Sequence, residues 1–177
     1  LSFLLFNFSI LLFNDFKFFY CVSKCIELFF PKIKRLKLSK TVKVFFNISL
    51  IELDLTMEAS AADELAENFK NHLNYRIPKI YWDLTTKRIL VLEYIEGIKI
   101  NEISALKKQK HNIEKIIEVS TEVFFLQVFR DGFFHGDMHP GNIFIDKNGT
   151  LVPIDFGIMG RLKNKDRHFL ALLLTYF

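Results

Sequence analysis

The sequence predicts an incomplete, helix-rich α+β fold with two lobes and a cleft between them. Apolar residues recur at helical spacing through much of residues 1–69. Two short extended segments follow at 77–82 and 88–94, and their short connection predicts an antiparallel pair. A further helical segment then leads into a polar loop, a hairpin and a second polar loop. A hairpin returns the chain close to where it left, so both loops are expected side by side.

The N-terminal part of the chain predicts two helices. Residues 1–30 are apolar on most faces and end at Pro31, while residues 38–69 carry apolar residues every three or four positions. The opening run 1–13 is shorter than the about 20 residues that span a bilayer, so we favour a core or interfacial helix. Cys21 and Cys25 lie one helical turn apart with no nearby His, which predicts two buried free thiols and no zinc site.

The remaining elements follow from local signals. Pro78 disfavours a helix at Ile77 and predicts an extended segment there. Apolar spacing predicts a long helix from Ile113 to near Arg130, with Gly132 just after it. The other expected elements are a loop at 71–75, a turn at 85–87, a strand at 88–94 broken by 96–97, a loop at 135–141, and strands at 142–145 and 151–154 around a turn at 147–149.

Composition and length bound the class of protein. The 177 residues suit one domain, and hydrophobic residues make up 50% of them, with 21 Phe. The abundance of Phe, Ile, Lys and Asn indicates AT-rich coding, as in some bacterial genomes. The chain begins with Leu1 and stops inside the apolar run 169–177, so we expect a piece of a longer protein or the product of a truncated reading frame.

Three polar side chains form the most informative pattern, namely Asp137, Asn142 and Asp155, separated by five and then thirteen residues. One carboxylate can orient or deprotonate an attacking hydroxyl, whereas an amide oxygen and a second carboxylate are hard ligands suited to Mg²⁺. In this order the trio predicts a phosphoryl-transfer site. Asp and Asn are also ordinary turn formers, but the combined spacing and the hairpin between them favour the site.

The histidines of the first loop suggest a weaker alternative. His135 and His139 flank Asp137, but without a further His they make a poor zinc set. We expect His135 to pack against the loop or to hydrogen-bond within it.

Residues 53–162 resemble the UbiB family of atypical protein-kinase-like proteins, which is associated with ubiquinone biosynthesis. Three segments carry the resemblance: ELDLTMEA at 52–59, VFFLQVFRDGFFHGDMHPGN at 123–142, and IDFG at 154–157. The second is close to the family's signature over its whole length. The resemblance implies a protein-kinase-like fold that binds ATP or ADP with Mg²⁺.

The resemblance also implies roles for single residues. Asp137 would be the catalytic acid, and Asn142 and Asp155 would hold the metal. Glu58 would pair with the nucleotide-binding lysine, from a helix in which Asp54 shares its face and Glu52 is rotated away. The remaining nucleotide and motif positions would be the hinge residues Glu93 and Tyr94, the flexible Gly157, and the family's acidic pair Glu52 and Asp54.

The resemblance implies three segments in this chain, and it implies that some of the family's motifs precede the chain's first residue. It implies a helical segment at 1–47, a partial N-lobe at 48–96 and a partial C-lobe at 97–177. The lysine-bearing strand and the alanine-rich nucleotide loop of the family precede what this chain contains. Lys43 imitates the lysine, but it stands fifteen residues before Glu58 on what reads as the same helix, so we reject it. We therefore expect little or no phosphoryl transfer by this chain alone.

Two other functions stay open at this stage. One is a catalytically inactive, pseudokinase-like piece, favoured by the missing lysine. The other is a small-molecule phosphotransferase of the aminoglycoside or choline type, which uses a similar acid-amide-acid pattern but would not be expected to carry the ELDL helix.

Partners and location are implied by the same resemblance. It implies that the protein binds nucleotide and that isoprenoid quinone precursors and other quinone-biosynthesis proteins are its partners. It also implies a cytoplasmic location, at the periphery of a bacterial inner membrane. The net charge of +4 is mild, and no nucleic-acid-binding module accompanies it. The basic residues cluster, which is typical of a solvated surface or of contact with an anionic membrane, at Lys32, Lys34, Arg35, Lys37, Lys40 and Lys43 and at Lys107, Lys108 and Lys110.

Overall fold

The computed structural model of the chain describes the backbone of residues 2–6, 9–52 and 54–176, and the side chains of residues 14–49 and 54–176. Within these ranges the helices are α1 (Ser9–Phe29), α2 (Leu38–Glu52), α3 (Leu55–Asn68), α4 (Ile103–Lys108), α5 (Ile113–Phe125) and α6 (Asn164–Tyr176). The strands are β1 (Ser2–Phe6), β2 (Ile89–Glu93), β3 (Gly97–Lys99), β4 (Phe133–His135), β5 (Ile143–Asp146), β6 (Leu151–Pro153) and β7 (Met159–Arg161). The predicted helix-rich α+β class is confirmed.

The N-terminal elements differ from the sequence prediction at two points. The helix expected over 1–30 begins only at Ser9, because Ser2–Phe6 forms β1, antiparallel to β2. The helix expected over 38–69 is two helices, because Asp54 is extended, with φ −88° and ψ 92°. Its carboxylate accepts a hydrogen bond from the Thr56 backbone N–H (3.2 Å), which starts a new helix there.

Helices α1 and α2 pack as an antiparallel hairpin. The ring of Phe16 contacts those of Phe45 and Phe46, with centroids 5.6 and 4.9 Å apart. At the turn, the Glu27 carboxylate accepts hydrogen bonds from the backbone N–H and hydroxyl of Ser39 (both 2.9 Å), and the backbone bond is the main cause of a lowered Glu27 pKa. This contact ties the end of α1 to the start of α2.

The two cysteines correct a prediction about this hairpin. Cys21 and Cys25 are free, as expected, but both are exposed rather than buried. Each helix of a two-helix hairpin has one neighbour, so an apolar sequence still leaves most of its circumference in solvent. Within the described residues no helix is both long and apolar enough to cross a bilayer.

The strands of the described residues form three small antiparallel sheets. Their pairings are β1 with β2, β3 with β5 and then β6, and β4 with β7. The hairpin predicted at 142–154 is confirmed as β5 and β6, whereas β3, β4 and β7 were missed because each has three residues and no alternation to detect. The predicted pairing of 77–82 with 88–94 is present as one antiparallel bridge, Ile80 to Leu92.

A single apolar core connects helix α3, helix α5 and the sheets. Its members are fully or almost fully buried, and they include Ala59, Ala62, Leu65, Leu90, Leu92, Leu106, Val119, Val123, Ile145, Leu151 and Phe156. Phe156 belongs to the second polar loop, residues 154–158 between β6 and β7, so the core anchors that loop.

The long helix predicted to end near Arg130 has the expected length but changes type. α5 continues as a π-helical turn over Leu126–Asp131, which ends at Gly132 with φ +65°. Arg167 of α6 caps this end, since its guanidinium donates to the carbonyl oxygens of Phe129 (3.3 Å) and Arg130 (2.6 Å). A Cβ at position 132 would lie 2.7 Å from the Leu162 carbonyl oxygen, so glycine is required there.

Candidate active site

The hairpin β5–β6 brings Asn142 and Asp155 together. Asn142 immediately precedes β5, and Asp155 follows Pro153 at the end of β6 by two residues. The Ile154 N–H donates to the Asn142 carbonyl oxygen (2.9 Å), which closes the hairpin beside both residues. The side-chain amide of Asn142 donates to Asp155 Oδ2 over 2.7 Å. Two of the three predicted site residues are therefore in direct contact.

The carboxylate of Asp155 is oriented by two donors. Oδ2 accepts from Asn142, and Oδ1 accepts from the backbone N–H of Gly157 (3.0 Å). Each carboxylate oxygen has further lone pairs, so both remain able to accept from or coordinate another group. A Cβ on Gly157 would lie 3.5 Å from Asp155 Oδ1, an ordinary contact. Gly157 thus contributes its N–H here, rather than the backbone freedom expected of it.

His135 joins the two polar loops. Its Nδ1 accepts the Asp137 backbone N–H (3.1 Å), so Nε2 carries the ring proton and donates to the Asp155 carbonyl oxygen (2.9 Å). The expected role of His135 in hydrogen-bonding the loop is confirmed. The loop is also held by the Gly136 N–H, which donates to the Ile158 carbonyl oxygen (2.8 Å). Asp137 itself is exposed at the loop surface.

Glu58 lies beneath the second loop. Its carboxylate accepts the backbone N–H of Phe156 (3.1 Å), one residue after Asp155. Burial raises the pKa of Glu58, the Phe156 N–H opposes that rise, and the nearby negative charge of Asp155 adds to it. Among the described residues Glu58 forms no ion pair with a lysine or arginine. It borders a cavity of about 420 Å³ that Asp54, Glu64 and Arg161 also line.

Replacing Glu58 by Gln is expected to stabilise the chain at neutral pH. A raised pKa in the fold means that the folded state binds more protons, so stability falls as pH rises from the unfolded pKa through the folded one. Gln keeps the acceptor for the Phe156 N–H and removes the half-buried charge. We expect Tm at pH 7 to rise on the order of a few °C, and the difference to vanish below the unfolded pKa.

Thermal unfolding by circular dichroism across this pH range measures the effect. Glu118→Gln, an exposed change on α5, is the control and should leave Tm unchanged. A Tm for Glu58→Gln below that of the unmodified chain at pH 7 would contradict the argument.

The acidic pair, Glu52 and Asp54, lies on either side of a helix break. Asp54 caps α3, and its carboxylate pairs with Lys87 Nζ at 3.2 Å. The Thr56 hydroxyl is the main cause of a lowered Asp54 pKa. Because the chain is extended at Asp54, the prediction of one continuous helix through Asp54 and Glu58 is wrong, although both side chains line the same cavity. Glu52 ends α2, and its side chain lies outside the described residues.

The predicted hinge and the rejected lysine have other contacts. The Glu93 carboxylate accepts from Arg76 (3.1 and 3.0 Å) and from the Lys79 N–H (3.2 Å), while Tyr94 is exposed. A role of Glu93 and Tyr94 in passing adenine stays a prediction. Lys43 lies on α2, with its Nζ 5.1 Å from the Tyr20 ring centroid. Its assumed position on the helix of Glu58 was wrong.

Sequence reasoning missed the polar residues that support the loops from the core. Gln127 is fully buried, and its side chain contacts the His135 N–H and the Tyr75 hydroxyl. A signal was available: Gln127 stands four residues after Val123, on the apolar face of the helix predicted from Ile113 to Arg130, where a polar residue is unexpected. Arg167 gave no comparable signal, because a surface helix normally carries arginine.

The donor set suits a hard cation that other ligands help to hold. Asn142 offers its amide oxygen and Asp155 its carboxylate, and the two side chains are in contact. No three His, Cys, Asp or Glu side chains converge as a metal site in the described part of the chain. Mg²⁺ commonly binds one or two protein carboxylates and completes its shell with water and phosphate oxygens, so this set fits Mg²⁺ with a phosphate ligand.

Comparison with known proteins agrees with this geometry. Residues 11–177 match the model of the ABC1 atypical kinase-like domain. Two curated proteins called "Probable protein kinase UbiB" are each 42% identical: that of Blochmanniella pennsylvanica over 156 residues (86% of this chain, 29% of the relative), and that of Marinobacter nauticus over 169 residues (93% and 31%). The chain thus spans about 30% of the length of these relatives.

The fold is also similar to that of a solved structure. The Rv3197–erythromycin complex from Mycobacterium tuberculosis superposes with a TM-score of 0.57 at 25% identity, over 78% of this chain and 36% of that one. The kinase-like α+β fold, the contact of Asn142 with Asp155 and the family match over most of the sequence agree. The chain therefore belongs to the ABC1 atypical kinase-like family, with UbiB proteins among its relatives.

Proposed function

We propose that this chain is part of a UbiB-like atypical kinase or ATPase that binds ATP with Mg²⁺ and supports ubiquinone biosynthesis. The observation that carries the proposal is the contact of the Asn142 amide with Asp155 Oδ2 at 2.7 Å, beside a loop that His135 ties to Asp137. The ubiquinone assignment rests on the name of the UbiB relatives.

Each residue of such a site would have its own role. Mg²⁺, when bound, would neutralise charge on the nucleotide phosphates. Asn142 and Asp155 would hold it through the amide oxygen and the carboxylate. Asp137, exposed at the loop surface, would orient an acceptor hydroxyl or water and take its proton. Glu58 would receive the nucleotide-binding lysine of a longer protein, since its half-buried carboxylate borders a cavity.

Isothermal titration of ATP, with Mg²⁺ and again with a chelator present, tests the proposal. We expect binding that requires Mg²⁺ and little turnover, since no lysine pairs with Glu58 among the described residues. Equal binding without Mg²⁺, or none in either condition, would count against it. The lack of an ion pair at Glu58 within the part of the chain that the structure describes also favours the second candidate, an inactive pseudokinase-like unit, which Mg²⁺-dependent ATP binding would contradict.

The composition and exposure of the α1–α2 hairpin support the proposal that this chain binds the surface of an anionic membrane. Residues 16–49 contain eight Lys or Arg and one acid, Glu27. Large apolar side chains project between these charges, with Leu28 75%, Phe29 73% and Leu36 58% exposed near the turn. Apolar residues that enter the interface, flanked by lysines that face phosphates, are the requirements for peripheral binding. We infer that the occupant of this surface is an anionic bilayer.

Charge reversal at the hairpin turn, Lys32→Glu with Lys34→Glu, is expected to weaken vesicle binding at least about tenfold, since each Lys near an anionic surface contributes about 1 kcal/mol. Sedimentation with phosphatidylglycerol–phosphatidylcholine vesicles measures it, against pure phosphatidylcholine vesicles.

The matched control for that experiment is Lys107→Glu with Lys108→Glu, which reverses two charges at the end of α4. It should leave binding unchanged. An equal loss of vesicle binding in both double variants, or equal binding of the unmodified chain to neutral vesicles, would refute docking through the hairpin.

A further inference from the structure

A buried amide stands behind the candidate site. Gln127 has no exposed surface, although it carries two donors and an acceptor. Its Oε1 accepts the His135 backbone N–H (3.0 Å), and its Nε2 donates to the Tyr75 hydroxyl (3.3 Å). Burial raises the pKa of Tyr75, so that hydroxyl remains neutral and available as an acceptor. Burying an amide is costly unless it is bonded in this way, so its partners specify one position for it.

The next link runs through the histidine ring. The Nδ1 of His135 accepts from the Asp137 N–H, and Nε2 donates to the Asp155 carbonyl. Gln127 accepts the backbone N–H of His135, and this bond fixes the position of the backbone from which the ring extends. A displacement of His135 would therefore move both loops, although Gln127 touches neither Asp137 nor Asp155 directly.

The local helix type adds a third observation. Gln127 is the second residue of the π-helical turn Leu126–Asp131. π-helical turns within α-helices are rare and occur often at functional sites. The turn keeps Gln127 on the core face of the helix while the chain leaves for β4, which begins at Phe133.

We propose that Gln127 is a positioning residue for divalent-cation binding, acting through His135 on the geometry of Asp137 and Asp155. This inference rests on the proposed function for its cation, but the network itself does not. The alternative is that Gln127 only stabilises the fold. A positioning role and a purely structural role make different predictions. If Gln127 positions the site, its replacement changes the cation affinity and the His135 ring more than does a core substitution that lowers stability by the same amount.

The test compares Gln127→Leu with Val123→Ala. Leucine nearly fills the space of glutamine but leaves the His135 N–H and the Tyr75 hydroxyl without this partner. Val123 is buried one turn earlier on α5 and has no polar link to the loops, so its truncation reports stability alone. Mn²⁺ affinity is measured by electron paramagnetic resonance, and folding by urea denaturation.

We expect Gln127→Leu to weaken Mn²⁺ binding about tenfold, the lower end of the effect for groups that support metal ligands, and Val123→Ala to leave it unchanged. Gln127→Glu should recover most of the affinity, because a buried, protonated carboxyl can accept from His135 and donate to Tyr75. Equal affinity of the two truncated variants, or no recovery with Glu, would overturn the proposal.

A second readout is independent of the cation. ¹⁵N spectra of the histidine rings, assigned by the signal lost in His135→Asn, should show the Nε2–H form in the unmodified chain. We expect a mixture of ring forms in Gln127→Leu and no change in Val123→Ala. If the unmodified chain binds no Mn²⁺, the proposed function fails and these spectra alone decide: an unchanged His135 signal in Gln127→Leu overturns the positioning role.

Discussion

Asp155→Asn is expected to reduce Mg²⁺-dependent ATP binding by more than about tenfold, because loss of a group that merely supports a metal ligand costs about 10–100-fold and Asp155 would itself be a ligand. The change removes one negative charge and places an amide group against the amide of Asn142, 2.7 Å away in the native pair. Titration calorimetry with ATP and Mg²⁺ measures the loss.

The control is Asp83→Asn, the same chemical change in the exposed turn Trp82–Leu84. It should bind as the unmodified chain does. If both variants lose affinity equally, the effect is one of net charge; if Asp155→Asn keeps its affinity, Asn142 and Asp155 are not the cation site.

Arg167→Ala is expected to lower the free energy of unfolding by about 2–3 kcal/mol, because hydrogen bonds from a charged group contribute about 1.5–3 kcal/mol. The guanidinium holds the carbonyl oxygens of Phe129 and Arg130 and contacts Asn164 Oδ1. Its Nε is buried without a partner, which offsets part of that gain. Urea denaturation followed by circular dichroism measures the change.

Arg167→Lys should recover little, since an ammonium group cannot bridge two carbonyls with the planar geometry of a guanidinium. Lys165→Ala, an exposed change on the same helix, should have almost no effect. Full stability of Arg167→Lys would show that charge alone, and not the fork of donors, holds the π-helical turn.

The parts of the site that the sequence predicts are those fixed by local order. Asn142 and Asp155 flank a hairpin whose turn signal is strong, so their proximity follows from the chain between them. The contact of Glu58 with Phe156 joins residues 98 positions apart, and no local pattern specifies it. The same is true of strands β4 and β7, whose pairing depends on where the loops return.

The helix break at Asp54 shows a different limit of prediction from sequence. Apolar spacing continued across residues 38–69, and a periodic pattern alone does not reveal that one carboxylate can start a second helix inside it. The exposed cysteines show a third limit: apolar composition predicts burial only when the fold supplies a surface to cover it.

The π-helical turn also makes the chain intolerant of small changes in length. Such a turn takes in one more residue than an α-helical turn, so deletion of a single residue within Leu126–Asp131 would permit an ordinary α-helix. Side chains alternate between the two faces of a strand, so a shift by one residue in β4 would turn His135 away from the Asp155 carbonyl. Homologues that lose a residue in this turn should therefore also lose the link between the two polar loops, even where every motif letter is retained.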